Sequence, residues 1–207
     1  KVLRIFGLAM ITSAKLVWMD DADTYLILVE SENGEKVYGG ARIQVAKGQF
    51  GLPIEDAPTK FDHRIHKYVD EMIPQGTGEL CGLWNSREVA GLGVGSIYLG
   101  RVGVALAKQL KLSTLYALCA PATVSNCMRV GFMVDDRLGK EGTFYYPKEG
   151  LIATAVLLSD VQELSTAEPT EREKILELSE SPIQQKFEIS PKLQEIEIDY
   201  NLNLQNV

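Results

Sequence analysis

The sequence predicts an α/β fold, with a mixed and mostly antiparallel central sheet of about seven strands flanked by helices. The first half of the chain alternates turn signals with short runs rich in β-branched and aromatic residues, which is typical of a meander of strands. A strand, a glycine loop and an apolar helix follow at residues 79–112. Further strands then alternate with a second helix, so a βαβ arrangement succeeds the meander and makes the sheet mixed.

Composition limits the classes of protein to which the chain can belong. At 207 residues, 45% of them hydrophobic, the chain suits one ordinary domain with an appendage. A formal net charge of −7 argues against general nucleic-acid binding, because that needs a basic face. The most apolar stretch, residues 97–112, carries Arg101, Lys108 and Gln109 and is too short to span a membrane. We therefore expect neither a nucleic acid nor a membrane as partner.

The cysteines indicate a reducing compartment. Cys81, Cys119 and Cys127 are odd in number, lie in apolar surroundings and show no Cys-x-x-Cys spacing. This pattern disfavours both a disulfide framework and a zinc site. The prediction is a cytoplasmic protein with free thiols and no metal.

The elements before the glycine loop are predicted from spacing and turn chemistry. Residues 1–7 have apolar side chains at helical spacing and end in a glycine, which predicts the last turns of a helix whose beginning is missing. Residues 11–19 and 24–29 predict two strands joined by a polar turn. A Ser-Glu-Asn-Gly sequence at residues 31–34 predicts a hairpin into another strand at residues 36–46. Together these strands form the predicted meander.

Residues 47–78 are interrupted by glycine and proline, and only a short helix at residues 61–72 is predicted there. His63 and His66 lie three positions apart, so a helix would bring both to one face. One interpretation is a base or a metal pair. No third ligand is evident and the segment is charged, which favours a solvated helix face instead.

The loop at residues 87–96 carries the strongest chemical signal. Gly91, Gly93 and Gly95 remove β-carbons that would keep a ligand away from the backbone. The helix that follows offers unpaired amides and the positive end of its dipole, and Ser96 is predicted as its N-cap or a first-turn residue. These features predict an anion site, most often for a phosphate, although a tight turn without a ligand is the alternative. The spacing fits neither a P-loop nor a dinucleotide fingerprint.

The elements after the loop complete the sheet. Residues 113–120 predict a strand, and residues 124–132 predict a helix that ends in Gly131 and Phe132. After a charged loop, residues 143–146 and 151–158 predict a closing hairpin.

The composition shifts to Ser, Thr, Glu and Pro near residue 163, which predicts a first domain at residues 1–162 and a C-terminal extension at residues 163–207. Within the extension, residues 170–178 predict a short helix, and residues 196–204 alternate between apolar and polar as a half-buried strand does. The apolar face of that strand needs a partner. The partner is either the chain's own sheet or an edge of a neighbouring subunit, so a homodimer through this strand is one of two outcomes.

The order of these elements resembles that of the GCN5-related N-acyltransferases, the GNAT superfamily. In that family an Arg/Gln-x-x-Gly-x-Gly/Ala segment between the fourth strand and the third helix holds the coenzyme A pyrophosphate. Here Arg87 precedes Gly91 by four residues and Gly93 by six, so either the loop is longer or Arg87 has another role. Four residues before the glycine of a Gly-Phe pair, where the family often has a tyrosine as general acid, this chain has Cys127.

The resemblance implies the acyl-CoA N-acyltransferase fold and an N-acyltransferase that moves an acetyl or other short acyl group from coenzyme A to an amine of a small molecule or peptide, without a metal. It implies coenzyme contacts from Leu83, Trp84, Asn85, Arg87, Gly91, Gly93, Val94, Gly95, Ser96 and Asn126. Glu79 is the candidate base, with an exposed residue at a strand start as the alternative. Cys127 is the candidate acid, with a buried packing cysteine as the alternative.

Other interpretations stay open. The missing tyrosine and the displaced Arg87 favour a catalytically inactive protein of the same fold that binds or senses acyl-CoA. An acyltransferase resembling the acyl-homoserine-lactone synthases is a third, disfavoured because clusters of Lys and Arg for docking a carrier protein are scarce. A pure interaction module would bind no coenzyme.

Overall fold

A computed structural model describes residues 16–47, 50–57 and 62–204. The main sheet and the tail contain β1 (Thr24–Glu30), β2 (Val37–Val45), β3 (Thr77–Asn85), β4 (Thr114–Cys119), β5 (Met133–Val134), β6 (Thr143–Tyr145), β7 (Ile152–Leu158), β8 (Ile183–Ile189) and β9 (Glu195–Asn201). The helices are α1 (Pro53–Asp56), α2 (Arg64–Met72), α3 (Leu99–Gln109), α4 (Val124–Arg129) and α5 (Pro169–Glu180).

The predicted mixed, mostly antiparallel sheet is confirmed. Seven strands form one sheet in the order β1-β2-β3-β4-β7-β5, and β6 also pairs with β7. Strands β3 and β4 are parallel, and the other pairs are antiparallel. The parallel pair brackets the glycine loop and α3, as the strand-loop-helix pattern of the sequence requires. Within the described ranges, no helix has the length and apolar character needed to cross a membrane.

Helices cover both faces of the sheet and bury a separate core on each. The larger core joins alternate residues of the strands to α3 and α5, with Leu106, Leu115 and Val156 among its members. The smaller core packs α1 and α2 against the other face and includes Ile54 and Tyr116, both fully buried. Because successive side chains of a strand point to opposite faces of the sheet, neighbouring strand residues join different cores.

The predictions near the N-terminus have mixed outcomes. The helix at residues 1–7 lies outside the described residues. The strand at residues 11–19 is wrong where the structure describes it, because Val17–Asp20 forms a 3-10 turn. The Asp21 carboxylate accepts hydrogen bonds from the Asp23 amide and the Thr24 hydroxyl, so this acidic stretch turns directly into β1. The strands at residues 24–29 and 36–46 and the helix at residues 61–72 appear as β1, β2 and α2.

The predicted strand of the tail finds its partner within the chain. Strand β9 pairs antiparallel with β8. Strand β8 was not predicted from the sequence, because it contains the polar residues Gln184, Gln185 and Lys186. The hairpin packs on α3 and α5 through a buried charge cluster in which Arg101 contacts both Glu171 and Glu188. Pairing with β8 fills one edge of β9, and a homodimer through the tail stays a prediction.

Candidate functional site

Strands β3 and β4 separate as they leave the sheet. They pair in register at only three positions, Thr77 with Thr114, Gly78 with Leu115 and Glu79 with Tyr116. Beyond Glu79, β3 continues along β2, while β4 continues along β7 to Cys119. A wedge-shaped gap therefore opens between the two parallel strands at their carboxyl ends.

A bulge in β3 produces this separation. Gly40 of β2 faces Trp84 while Arg42 faces Cys81, so β3 has one more residue than β2 over this stretch. Gly82 lies within this bulge and has a φ of +65°, a backbone conformation that favours glycine. The bulge bends β3 away from β4 and leaves Leu83 42% exposed at the gap.

The glycine loop starts the helix with a wide first turn. Gly91 and Gly93 have φ +83° and +96°, which side chains rarely adopt. The Gly93 carbonyl accepts hydrogen bonds from the amides of Ser96, Ile97 and Tyr98, and this π-helical turn, Val94–Tyr98, leads into α3. Gly93 therefore occupies the N-cap. Ser96, which was predicted as either the N-cap or a first-turn residue, lies in the first turn.

Two amides of this turn stay available for a ligand. The amides of Val94 and Gly95 donate to no acceptor among the described residues. They lie at the positive end of the α3 dipole, where an anion is stabilised by about 0.3–1 kcal/mol per interaction at an exposed site. The geometry agrees with the predicted anion site and gives it a defined location.

The end of β3 and the glycine loop lie in contact. A β-carbon on Gly95 would overlap the Asn85 side-chain oxygen and lie 3.1 Å from its Cγ. On the other side of the loop, Val94 packs on Gly39 of β2. The predicted residues Asn85, Val94 and Gly95 are thus brought together, next to the β3 stretch that contains Leu83 and Trp84.

The tail adds a residue that sequence reasoning missed. The turn between β8 and β9 lies over the glycine loop, and a β-carbon on Gly91 would lie 3.0 Å from the Lys192 ammonium nitrogen. A β-carbon on Gly93 would likewise lie 3.3 Å from the Cδ atom of Pro191. The Lys192 ammonium is exposed and forms no ion pair with a described residue. A lysine at the tip of a hairpin is so common that the sequence carried no signal for this contact.

Arg87 lies apart from this arrangement. It begins the 3-10 turn Arg87–Val89 and is exposed, and its carbonyl accepts the Ala90 amide. Its neighbour Glu88 pairs with Lys36 at 2.8 Å. Its predicted role in coenzyme binding stays a prediction.

Glu79 is buried rather than exposed. It lies 2% exposed on the face of α1 and α2, where its carboxylate accepts the Ile54 amide at 2.6 Å. Burial raises the pKa of Glu79 to about 8, although the Ile54 amide and the charge of Arg42 act in the opposite direction. The alternative of an exposed strand-start residue is therefore wrong, and a buried carboxylic acid with a pKa near neutrality has the character of a general base.

Cys127 packs on the other face of the sheet, and Asn126 precedes it in the chain. They belong to the short helix α4, which packs on the larger core beside the end of β4. The Cys127 sulfur lies 3.1 Å from that of Cys119, and both side chains are at least partly buried. The hydrogen bond between the two thiols holds the pKa of Cys127 below its usual value and raises the pKa of Cys119. The sheet itself lies between Glu79, which is bonded to Ile54 on one face, and Cys127, which packs on the core of the other face.

The two histidines do not act as a pair. The His66 Nδ1 atom contacts the Glu55 carboxylate at 2.9 Å, and the His66 side chain is 48% exposed. His63 precedes α2 and is exposed. Among residues 16–47, 50–57 and 62–204, no three His, Cys, Asp or Glu side chains cluster as a metal site would require.

Comparisons with known proteins find similarity in structure alone. No family model and no curated protein matches the sequence. One similar solved structure is FeeM, an N-acyl amino acid synthase from uncultured soil microbes, at 19% identity and a TM-score of 0.49 over 65% of this chain and 67% of that one. Another is a putative phosphinothricin N-acetyltransferase, at 17% identity and a TM-score of 0.45 over 67% and 69% of the two chains. A third is MesI, a CoA-dependent acyl-homoserine lactone synthase, at 14% identity and a TM-score of 0.42 over 78% and 71%. Further similar structures include a ribosomal-protein-alanine N-acetyltransferase from Brucella melitensis, at 18% identity and a TM-score of 0.42 over 64% of this chain and 66% of that one.

Proposed function

We propose that this chain is an acyl-CoA-dependent N-acyltransferase that moves an acetyl or other short acyl group to an amine of a small molecule or peptide. The observation that supports the proposal is the contact between Asn85 and Gly95, which joins the gap between β3 and β4 to the free amides of the glycine turn. An acyl donor with a pyrophosphate at one end of a long amide-bearing arm needs a gap for the arm and an anion site for the pyrophosphate next to each other. The proposal predicts that the arm enters the gap and the pyrophosphate meets the turn.

The phosphate end of the site is built from backbone. Amides of Val94 and Gly95 donate to phosphate oxygens, and the Asn85 side chain, which fills the space beside Gly95, turns aside to admit them. The Ser96 hydroxyl in the same turn adds a third donor. Lys192 supplies the positive charge beside Gly91, and Arg87 is assigned a weaker role at the rim of the loop because its place in the structure is exposed.

The arm of the donor is held by the bulged end of β3. Past Glu79 this strand pairs with β2 on one side only, so backbone groups of Leu83, Trp84 and Asn85 can pair with amides of the arm as an added strand would. Asn126, half-buried in α4, faces the arm from the opposite side in this proposal.

The reaction needs one proton taken from the amine and one given to the thiolate. The amine nitrogen attacks the thioester carbonyl, the carbon–sulfur bond breaks, and an amide and a free thiol result. Glu79 takes the amine proton, directly or through a water molecule. Its pKa of about 8 makes the carboxylate basic enough to accept a proton near neutral pH. Cys127 gives a proton to the thiolate from the other face of the sheet. Positioning of amine and thioester across the gap supplies most of the acceleration.

Calorimetric titration tests the donor site. Purified protein is titrated with coenzyme A and acetyl-CoA, with adenosine and NAD as controls for the nucleotide portion. The proposal expects micromolar binding of both coenzymes and none of the controls, followed by release of free thiol when a panel of amines is added with acetyl-CoA. Coenzyme binding without turnover on any amine would favour the sensing protein, and the absence of binding would reject the acyl-CoA site altogether.

A further inference from the structure

Two cysteines from different elements meet at the end of β4. Cys119 is the last residue of that strand and Cys127 lies in α4, and their sulfur atoms are 3.1 Å apart. A disulfide has a sulfur–sulfur distance of about 2.05 Å, so a movement of about 1 Å would bond them. The third thiol, Cys81 of β3, is buried and makes no sulfur contact with a described residue.

The two thiols differ in accessibility. Cys127 is partly exposed and can meet a small solute, whereas Cys119 is 7% exposed and lies behind it. The two thiols share a hydrogen bond, and this contact lowers the pKa of the outer Cys127 relative to that of Cys119, so the thiolate that attacks forms more readily at Cys127. The pair therefore has an attacking sulfur at the surface and a resolving sulfur beneath it.

The element that must move is short. Helix α4 has six residues, and no side chain caps its N-terminus. It is joined to β4 by the 3-10 turn Pro121–Thr123 alone. A shift of about 1 Å in such an element breaks no strand pairing, because Cys119 is the terminal residue of the β4–β7 ladder.

We propose that Cys119 and Cys127 form an oxidation site that reacts with hydroperoxides to give a disulfide. The Cys127 thiolate attacks one peroxide oxygen, so that a sulfur–oxygen bond forms, the oxygen–oxygen bond breaks and water or an alcohol leaves after protonation. The Cys119 sulfur then attacks the resulting sulfenic acid, a sulfur–sulfur bond forms, and hydroxide leaves as water with the Cys119 proton. The two sulfurs lose two electrons together, and the peroxide gains them.

A single digest tests the proposal with an internal control. The reduced full chain is treated with increasing hydrogen peroxide, quenched with catalase, alkylated and cleaved with trypsin. Cleavage after Lys111 and Arg129 gives a peptide, residues 112–129, that holds both cysteines, and cleavage after Lys67 and Arg87 gives residues 68–87 with Cys81. We expect the first peptide to lose two hydrogens and all alkylation at peroxide levels that leave the second fully alkylated. Its oxidation should be at least about tenfold faster than that of Cys81, and dithiothreitol should reverse it.

Two variants define the order of the steps. Cys119→Ser should stop at the sulfenic acid of Cys127, which dimedone traps, and Cys81→Ala should form the disulfide at the wild-type rate. The proposal is overturned if the first peptide gains oxygen without an internal bond, if Cys81 reacts equally fast, or if no disulfide forms in either the wild type or Cys81→Ala. Absence of a dimedone adduct in Cys119→Ser would also overturn it, because Cys127 would then not be the attacking thiol.

The disulfide has a consequence that rests on the proposed function. An oxidised Cys127 has no thiol proton to give to the departing thiolate, so turnover should fall on oxidation and return on reduction. The mass measurement is independent of any substrate, so failure to find turnover would count against the acyltransferase and leave the outcome for the thiol pair unaffected.

Discussion

The side chain of Asn85 occupies the space that a β-carbon on Gly95 would need, with its Cγ 3.1 Å from that position. This contact joins the bulged end of β3 to the first turn before α3. Gly95 differs from its neighbours because its φ is not in the left-handed region, whereas those of Gly91 and Gly93 are. A side chain at Gly95 would therefore meet a neighbour but no backbone strain.

Replacement of Gly95 should separate ligand binding from folding. In Gly95→Val the amides of the turn are covered, so we expect coenzyme A affinity to fall by at least about tenfold, or about 1.4 kcal/mol. The Asn85 side chain can rotate away, so the free energy of unfolding should change by less than about 1 kcal/mol. Calorimetry and urea denaturation measure the two quantities.

The matched control is Gly100→Ala in α3, where the new β-carbon would lie 3.7 Å from Val130 in ordinary contact. That variant should keep full affinity and gain stability, because glycine within a helix is destabilising relative to alanine. Equal losses of affinity and stability in Gly95→Val would mean that this glycine serves the turn alone. Gly93 is a poorer probe, since its φ of +96° makes any side chain there strained.

Lys192 should contribute to binding through its charge. We expect Lys192→Ala to weaken coenzyme A binding by roughly three- to tenfold, about 1 kcal/mol, because one exposed cation is removed from the phosphate site. The difference from wild type should shrink at 1 M salt, where the screening length is about 3 Å. Titration at two salt concentrations measures this.

Lys148→Ala serves as the control, since Lys148 is exposed in the turn between β6 and β7 and should leave affinity unchanged. If Lys192→Ala instead binds the coenzyme more tightly than wild type, the hairpin turn covers the loop and does not assist it.

Glu79 should make stability depend on pH. Its pKa is raised by burial from about 4.5 to about 8, so between these values the folded protein holds a proton that the unfolded chain has lost. The stability from this group is full below the lower value and falls as pH rises toward the upper one. Urea midpoints at pH 5, 6.5 and 8 should therefore decline more in wild type than in Glu79→Gln, which keeps a neutral side chain throughout.

The same variant tests the role of Glu79 as a base. Acyl transfer by wild type should rise with pH up to about 8, because only the carboxylate accepts the amine proton. Glu79→Gln should lose this limb while it retains coenzyme affinity. Parallel pH–rate profiles in the two proteins would remove Glu79 as the base.

The buried charge cluster should hold the tail on the main domain. Arg101 is 3% exposed and contacts Glu171 at 2.9 Å, and Glu188 accepts a further bond. Arg101→Leu leaves two buried carboxylates with less compensation, so we expect a loss of about 3–5 kcal/mol in the free energy of unfolding. The exposed pair of Lys186 and Glu177 offers the comparison, and Lys186→Ala should cost less than about 1 kcal/mol. Similar small losses in both variants would show that the cluster contributes little.

Much of the fold follows from local pattern. The periods of apolar residues located β1 to β4, β7 and the helices α2, α3 and α5 to within a few residues. The two-residue β5 and the polar β8 were missed, because so short or so hydrophilic a run has no period to detect. The strand expected at residues 11–19 failed where it is described, since the acidic residues at its end bond to the backbone and favour a turn.

The glycine loop, the helix behind it and the strands on either side could be predicted from local sequence, because each depends on neighbouring residues. Three contacts could not be predicted in this way: Glu79 accepts the Ile54 amide, Cys119 meets Cys127, and Lys192 reaches Gly91 from about one hundred positions away along the chain. These contacts depend on how packed layers bring distant segments together. A sequence period records which face of an element is buried, and it does not record which distant residue lies opposite that face.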